Sequence, residues 1–235
     1  MAFNGGKQGH IWKTEEKDGD IAKFYIAEWS CPEAQEAMNG LPTGQSKIYR
    51  KIDGSCGAII RGEDGKWNIY QRYDDKKGKF KNGIPEGYIA LPDGENTKVY
   101  SYQEGHTHHH YYFRLINRVQ KSKGEQAIAK SLYNIMDNSE LKLDKDYYSV
   151  ELVGPNFNST HGVDKNGICL HEAQIPDVYV PSFDTPEQWF VWMEYYFKNY
   201  RDEGLIVCHN GRYWKIHGYK FCPELPKDYR KPVLL

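Results

Sequence analysis

The sequence predicts an α+β fold of mostly antiparallel sheets flanked by helices. Two observations indicate this class. Short runs rich in branched and aromatic residues are joined by Asp-Gly and Asn-Gly turn signals, and two segments combine helix-start signals with apolar residues at helical spacing. These strands and helices do not alternate regularly, as the repeating units of a parallel sheet would. The chain has 235 residues with no repeat or long linker, so a single domain is expected over 1–235, with 1–45 as its N-terminal extension.

The first predicted hairpin runs from Ser55 to Arg72. If Asp64-Gly65 forms a two-residue turn, Arg72 lies opposite Gly57. Further strands are expected between Ile89 and Val119, in the pieces YIAL, KVYSY and YYFRLI.

Two helices are expected, from Gly124 to Asp137 and from Pro186 to Tyr200. Each follows a capping-box pattern, which begins at Ser122 for the first helix and at Thr185 for the second. The second helix has an aromatic stripe that we interpret as core, although such a stripe is also compatible with base stacking. Its members are Trp189, Met193, Tyr196, Phe197 and Tyr200.

The remaining strands are predicted around and after these helices. Tyr147 to Val153 and Ile168 to Val180 have strand composition. Leu205 to Val207 and Arg212 to Ile216 are separated by Asn210-Gly211, a strong signal for a two-residue hairpin turn.

Charge and cysteine content exclude several classes of protein. Lys and Arg total 31 against 32 for Asp and Glu, so a bound polyanion would have to contact a local basic patch. The cysteines form no CxxC pair, which argues against a disulfide framework or a zinc knuckle. The sequence contains no apolar run of membrane-spanning length and no secretory signal, so a soluble, cytoplasmic monomer is expected.

The string Lys51-Ile52-Asp53-Gly54 is the most informative motif. A lysine at the junction of a strand and a loop acts as a nucleophile once desolvation or a neighbouring cation such as Arg50 favours its neutral form. Gly54 would allow close approach of a ligand. The string alone also fits a solvated lysine before an Asp-Gly turn.

Charged residues beside other strands could belong to the same site. Arg72 is suited to bidentate phosphate contacts, although a strand-end arginine is commonly a surface charge. ELVG places Glu151 within an apolar strand, which is costly unless the carboxylate has a partner such as a ribose hydroxyl. Glu203 opens the EGLIV strand, and Lys215 follows in YWKIH. Each of these charged residues, taken alone, could also be a solvent-exposed charge on an edge strand.

Together, KIDG, ELVG, EGLIV and YWKIH resemble motifs I, III, IV and V of the covalent nucleotidyltransferases, which include ATP-dependent ligases and mRNA capping enzymes. The chain is most similar to the group-five RNA ligases of bacteria, animals and large viruses. The resemblance spans about residues 48–221, and its middle part matches loosely. It implies a nucleotidyltransferase (adenylyltransferase) domain without a C-terminal barrel domain, since only twenty residues follow Lys215.

The resemblance also implies residue roles. Lys51 would attack the α-phosphorus of ATP to form lysyl-AMP, with Asp53 and Gly54 completing the motif. Arg72 would contact the nucleotide or the incoming strand. The remaining roles are ribose binding for Glu151, positioning of Mg²⁺ or Mn²⁺ for Glu203, and binding of the α-phosphate for Lys215.

The resemblance leaves the roles of three residues unassigned. His217 occupies the place of the second lysine in the usual motif V. Tyr179 and His171 both qualify by position as the aromatic residue that stacks on adenine.

The implied function is an ATP-dependent RNA ligase that joins 5′-phosphate and 3′-hydroxyl RNA ends. A capping guanylyltransferase, a DNA ligase and a non-catalytic nucleotide- or RNA-end-binding module are the alternatives. Two further clusters are compatible with either ligand binding or a solvated loop. They are the histidines His106, His108, His109 and His110, and the lysines Lys76, Lys77, Lys79 and Lys81.

Overall fold

A computed structural model describes residues 8–16, 23–75, 79–80, 82–91, 98–99, 109–116, 130, 143–157, 164–176 and 179–222. The predicted α+β class is confirmed, with mostly antiparallel sheets and two helices among these residues. In chain order the elements are β1 Gly9–His10, β2 Trp12–Glu16, β3 Lys23–Trp29, α1 Pro32–Asn39, β4 Ser46–Lys51, β5 Ser55–Arg61, β6 Trp67–Asp75, β7 Tyr88–Ala90, β8 Lys98–Val99, β9 His109–Ile116, β10 Tyr147–Val153, β11 Gly167–Leu170, α2 Pro186–Tyr200, β12 Gly204–His209 and β13 Arg212–His217.

The chain divides into two compact units. The first contains Asp53–His171, and the second contains Gln8–Ile52 together with Glu172–Val233. The boundary between Ile52 and Asp53 falls inside the KIDG motif.

The first unit is built on a sheet in the order β11-β10-β5-β6-β9-β7, with β8 also paired to β9. Side chains alternate between the two faces of a strand, and apolar clusters cover both faces of this sheet. Ile59, Ile69 and Leu152 are buried on one face. Ala58 and Phe113 are buried on the other. Both faces of the sheet therefore contribute to the core.

The second unit contains a sheet in the order β1-β13-β12-β4 and a separate β2-β3 pair. The β1-β13 pairing is parallel, and the others are antiparallel. Its core includes the aromatic stripe of α2, where Trp189 and Phe197 are fully buried. This confirms the interpretation of the stripe as core rather than as a stacking surface.

The first hairpin forms as predicted, but its register was wrong by one residue. Gly57 lies opposite Gln71 rather than Arg72. The turn contains three residues between Gly62 and Lys66, and the Gly62 N–H donates to the Lys66 carbonyl at 2.7 Å. A three-residue loop commonly ends with a left-handed residue, and Gly65 has φ +75°. The shift places Arg72 on the face opposite to the predicted one.

The other predicted elements agree with the structure in most places. β10, α2 and the final hairpin with its Asn210-Gly211 turn are confirmed. The predicted strand from Ile168 to Val180 was wrong beyond Leu170, where the chain turns into a short 3₁₀ helix at His171–Ala173. YIAL contains β7, KVYSY contains β8, and YYFRLI lies within β9, which begins two residues earlier at His109. The helix predicted over 124–137 lies outside the described residues except for Lys130, which is helical.

Neither of the two helices in the described part of the chain has the length and apolar character needed to cross a bilayer.

Replacing Thr185 with Ala should destabilise the protein by about 1 kcal/mol, because α2 would lose its N-cap. The Thr185 hydroxyl accepts the Gln188 N–H, and the Gln188 side chain accepts the Thr185 N–H in return at 3.2 Å. Urea unfolding measures the loss. Thr185→Ser keeps the hydroxyl and is the control, and equal losses in both variants would show that the cap bond is not responsible.

Candidate functional site

Lys51 is the last residue of β4 and is only 8% exposed. Its Nζ donates to Glu203 Oε1 in a buried ion pair. Glu203 immediately precedes β12, whose first residue, Gly204, lies opposite Lys51 in the sheet. The β4-β12 register therefore brings the predicted nucleophile and the predicted metal-positioning carboxylate together.

The glycine of EGLIV is required by packing beside this pair. A Cβ at Gly204 would lie 2.1 Å from the Ile216 carbonyl oxygen and 3.2 Å from Lys51 Cδ. The first distance is impossible for a real side chain, so only glycine fits between β13 and the lysine stem.

A second ion pair lies next to the first. Arg50 Nη2 is 2.8 Å from Asp202 Oδ1, and the Tyr196 hydroxyl donates to Asp202 Oδ2. Arg50, which the sequence presents as a cation near Lys51, is thus bonded to a carboxylate of its own. Two successive cations of β4 meet two successive carboxylates before β12.

His217 lies at the end of β13, with Nδ1 at 3.9 Å from Glu203 Oε1. This nitrogen is buried and has no hydrogen-bond partner among the described residues. Burial, reinforced by the positive charges of Lys51 and Lys215, holds the pKa of His217 well below its usual value. The position at which the resemblance expects a second lysine is therefore occupied by a neutral imidazole.

His10 extends the same cluster from β1. Its Nδ1 lies 2.6 Å from the Tyr25 hydroxyl, and its ring centroid is 5.5 Å from that of His217. Burial, followed by the charges of Lys215 and Lys220, lowers the pKa of His10 to about 3. Lys220 was missed by the sequence analysis, because nothing in the string GYK marks its lysine as buried, yet it is 8% exposed.

The second unit thus concentrates positive charge. Lys51, Lys215 and Lys220 surround two neutral histidines and Glu203. Ammonium groups brought together in this way suit an anionic ligand such as a phosphate.

The depressed pKa of His10 predicts acid sensitivity. His10 is neutral in the folded state down to about pH 3, whereas in the unfolded chain it takes up a proton near pH 6.5. Stability is therefore fully present above pH 6.5 and falls as pH decreases from 6.5 towards 3, by up to about 1.4 kcal/mol per pH unit for one proton. His10→Gln should reduce this slope in urea unfolding between pH 7.5 and 5.5. An unchanged slope would contradict the assignment.

In the first unit, Glu151 is 3% exposed and Oε2 lies 3.0 Å from His171 Nε2. The other imidazole nitrogen of His171 is 2.9 Å from the Ser149 hydroxyl. The partner that a carboxylate within an apolar strand requires is therefore present in the protein. His171 is completely buried and presents no ring face to a base, whereas Tyr179, the other candidate for adenine stacking, is 83% exposed.

Arg72 lies on the same face of the sheet as Glu151, because Cys56 lies opposite Glu151 and the β5-β6 register continues from Cys56 to Arg72. Its Nε is 3.1 Å from Asp74 Oδ1, and its guanidinium lies 4.5 Å from the centre of the Tyr111 ring. Burial alone would lower the pKa of Arg72, but Cys56, Asp74, Tyr111 and Glu151 outweigh it and raise the pKa.

Gly54 is fixed by contact with β10. A Cβ there would lie 2.4 Å from the Leu152 carbonyl oxygen and 2.9 Å from Glu151 Cγ. The last glycine of KIDG therefore allows the chain to pass against the Glu151 strand. Asp53 is half-buried.

A cavity of about 360 Å³ opens where β5 and β6 separate. The pairing of these strands ends at Gly57 and Gln71, while β6 continues to Asp75 beside β9. The cavity is polar, and its lining comprises Gly54, Ser55, Cys56, Gln71, Arg72, Tyr73, Asp74 and Arg114. Arg114 was not identified from the sequence, because YYFRLI gives no indication of its neighbours.

The predicted site residues thus form two groups. Lys51, Glu203, Lys215 and Tyr179 belong to the second unit, whereas Asp53, Gly54, Arg72, Glu151 and His171 belong to the first. The chain passes from one unit to the other between Ile52 and Asp53 and again between His171 and Glu172. Within each unit, the structure brings together Lys51 with Glu203 and Glu151 with His171.

The side chains available as metal ligands limit how the predicted Mg²⁺ or Mn²⁺ could be bound. No cluster of three or more His, Cys, Asp or Glu side chains suited to a metal ion occurs among the described residues. Glu203 fits an ion that is held by one carboxylate together with substrate phosphates and water, which is how Mg²⁺ is commonly bound.

No protein-family model matches the chain, and no curated protein matches it significantly. The similarity to nucleotidyltransferases therefore depends on the four motifs quoted above.

Proposed function

We propose that this chain is an ATP-dependent RNA ligase that joins 5′-phosphate and 3′-hydroxyl RNA ends. The observation that supports this most strongly is the buried Lys51, which is paired with Glu203 at the end of β4. A lysine used only for solubility would extend into water, because burying an ammonium group is costly. A lysine held against a carboxylate in a positively charged cluster is suited to react with a phosphate.

The proposed reaction has three steps. In the first, Lys51 Nζ loses a proton and bonds to the α-phosphorus of ATP, while the bond to pyrophosphate breaks. In the second, the RNA 5′-phosphate takes the AMP from Lys51, which regains its proton, and gives AMP-capped RNA. In the third, the 3′-hydroxyl loses its proton and bonds to the capped phosphorus, and AMP leaves.

The other predicted site residues would align and neutralise the phosphates, which is most of the work in phosphoryl transfer. Lys215 would hold the α-phosphate, and Glu151 would bind the ribose. Arg72, whose guanidinium is fixed by Asp74 and Tyr111, would contact the nucleotide or the strand. A divalent ion at Glu203 would supply charge neutralisation for the departing pyrophosphate.

His217 affects the charge of the proposed phosphate-binding site. A neutral imidazole forms hydrogen bonds to phosphate without adding charge, whereas a lysine there would place another cation beside Lys51 and Lys215. Lys220, which is buried near Tyr25, contributes positive charge from a position three residues later.

Lys51→Ala should abolish covalent labelling by α-labelled ATP, because no other group replaces the nucleophile. Denaturing electrophoresis measures the adduct. Lys47→Ala is the matched control, since Lys47 lies on the same strand but is exposed. Persistent labelling of the Lys51 variant would disprove the assignment, and labelling by GTP in preference to ATP would indicate a capping guanylyltransferase instead.

Glu203→Gln should lower the rate of Lys51 labelling by about 100-fold or more, because the charge that positions the ion and pairs with Lys51 is lost. Excess chelator should abolish labelling of the wild-type protein. Glu194→Gln removes an exposed carboxylate from α2 and should label normally. Full labelling in chelator would exclude the metal requirement.

A further inference from the structure

Four aromatic rings form a cluster on the sheet of the first unit, which we call the aromatic platform. It consists of Tyr73, Phe80, Tyr88 and Tyr112. Phe80 is central, with ring-centre distances of 5.5 Å to Tyr73, 4.9 Å to Tyr88 and 4.8 Å to Tyr112. All four rings are half-buried, so each retains surface that is accessible to water.

The strand registers place these rings beside Arg114. Tyr73 lies opposite Tyr112, and Arg114 lies opposite both Gln71 and Tyr88. Residues opposite one another share a face of the sheet, so Arg114 lies among the aromatic rings. Arg114 Nη2 also donates to Gln71 Oε1 at 3.3 Å, which orients the guanidinium along β6.

The platform differs from the aromatic stripe of α2 and from the buried clusters of the first unit. The α2 stripe is part of the core, and its Trp189 and Phe197 are fully buried. None of the platform rings belongs to the buried clusters of the first unit. Three of its four members are tyrosines, which combine an aromatic face with a polar end.

Arg114 and Tyr73 also line the cavity between β5 and β6. The charged side chains around that cavity are two arginines and one aspartate, which gives a net charge of +1. Ser55 and Gln71 add side-chain donors. An anionic group that enters the cavity would therefore meet positive charge and hydrogen-bond donors next to half-buried rings.

We propose that the aromatic platform and Arg114 bind single-stranded RNA next to the end that is joined. Bases stack on the tyrosine rings, and Arg114 binds a backbone phosphate, which is the combination that single-stranded nucleic acids favour. The inference relies on the proposed ligase function only to identify the polynucleotide as an RNA end. The positive cavity and the guanidinium among the rings favour RNA over an apolar protein segment.

Binding of the full-length protein to a 12-nucleotide 5′-phosphorylated single-stranded RNA, measured by fluorescence anisotropy, tests this surface. Arg114→Gln and Tyr112→Leu should each weaken binding by about fivefold or more, and Tyr112→Phe should retain it. Arg61→Gln and Tyr195→Leu are matched controls, because Arg61 is 42% exposed in its side chain and Tyr195 is 62% exposed, and both should bind like the wild type.

Salt dependence separates the two contributions. Arg114→Gln should reduce the slope of log affinity against log salt by about 0.7, the value for one phosphate contact on a single strand. Tyr112→Leu should weaken binding without changing the slope. Wild-type affinity in both variants, or equal binding of a blunt RNA duplex, would overturn the proposal. If Tyr112→Leu fails to fold, the affinity and slope of Arg114→Gln decide alone.

Labelling of Lys51 distinguishes this proposal from the ligase assignment. Labelling of Arg114→Gln with ATP is measured alongside the wild type, and a loss of labelling would indicate that Arg114 binds ATP rather than RNA. Absence of labelling in the wild type, together with weakened RNA binding by the variants, would reject the ligase and retain the platform. Normal labelling with unchanged RNA binding by both variants would reject the platform alone.

Discussion

The buried ion pair between Lys51 and Glu203 is the interaction on which the candidate site depends. Both side chains are about nine-tenths buried, so each charge has lost most of its water. Removing one partner of such a pair leaves an uncompensated charge, which typically costs about 3–5 kcal/mol. The pair is therefore weak evidence of a contribution to stability, since an apolar residue would pack at this position at lower cost. It is strong evidence that the β4-β12 register serves to hold a charged lysine here.

In the first unit, the buried carboxylate has an imidazole as its partner. Glu151 is held by His171, which is itself held by Ser149, so the carboxylate is oriented by a chain of side chains rather than by solvent. Such networks are stabilising when each member is satisfied. They also fix the orientation of the carboxylate, because rotation of Glu151 would break its hydrogen bond to His171.

The sequence was most informative where local chemistry decides the structure. The Thr185 capping box and the Asn210-Gly211 turn act through neighbouring residues, and both α2 and the final hairpin formed as predicted. The position of Arg72 was wrong because it depends on whether the loop contains two or three residues, and Asp64-Gly65 is compatible with both. At the 3₁₀ turn, His171 contacts Glu151 in β10, a pairing that local sequence does not reveal. Arg114 and Lys220 became candidates only once distant strands were paired.

Gly54 and Gly204 show that two of the motif strings also describe how strands pack. In each case the missing side chain leaves room for a neighbouring carbonyl oxygen, beside Glu151 in one unit and beside Lys51 in the other. A mutational screen scored by activity would therefore class both glycines with the reacting residues, although neither has a side chain to offer a nucleotide. Assays of folding and of activity on the same variants would separate the motif positions that take part in the reaction from those that are required only for close packing of the strands.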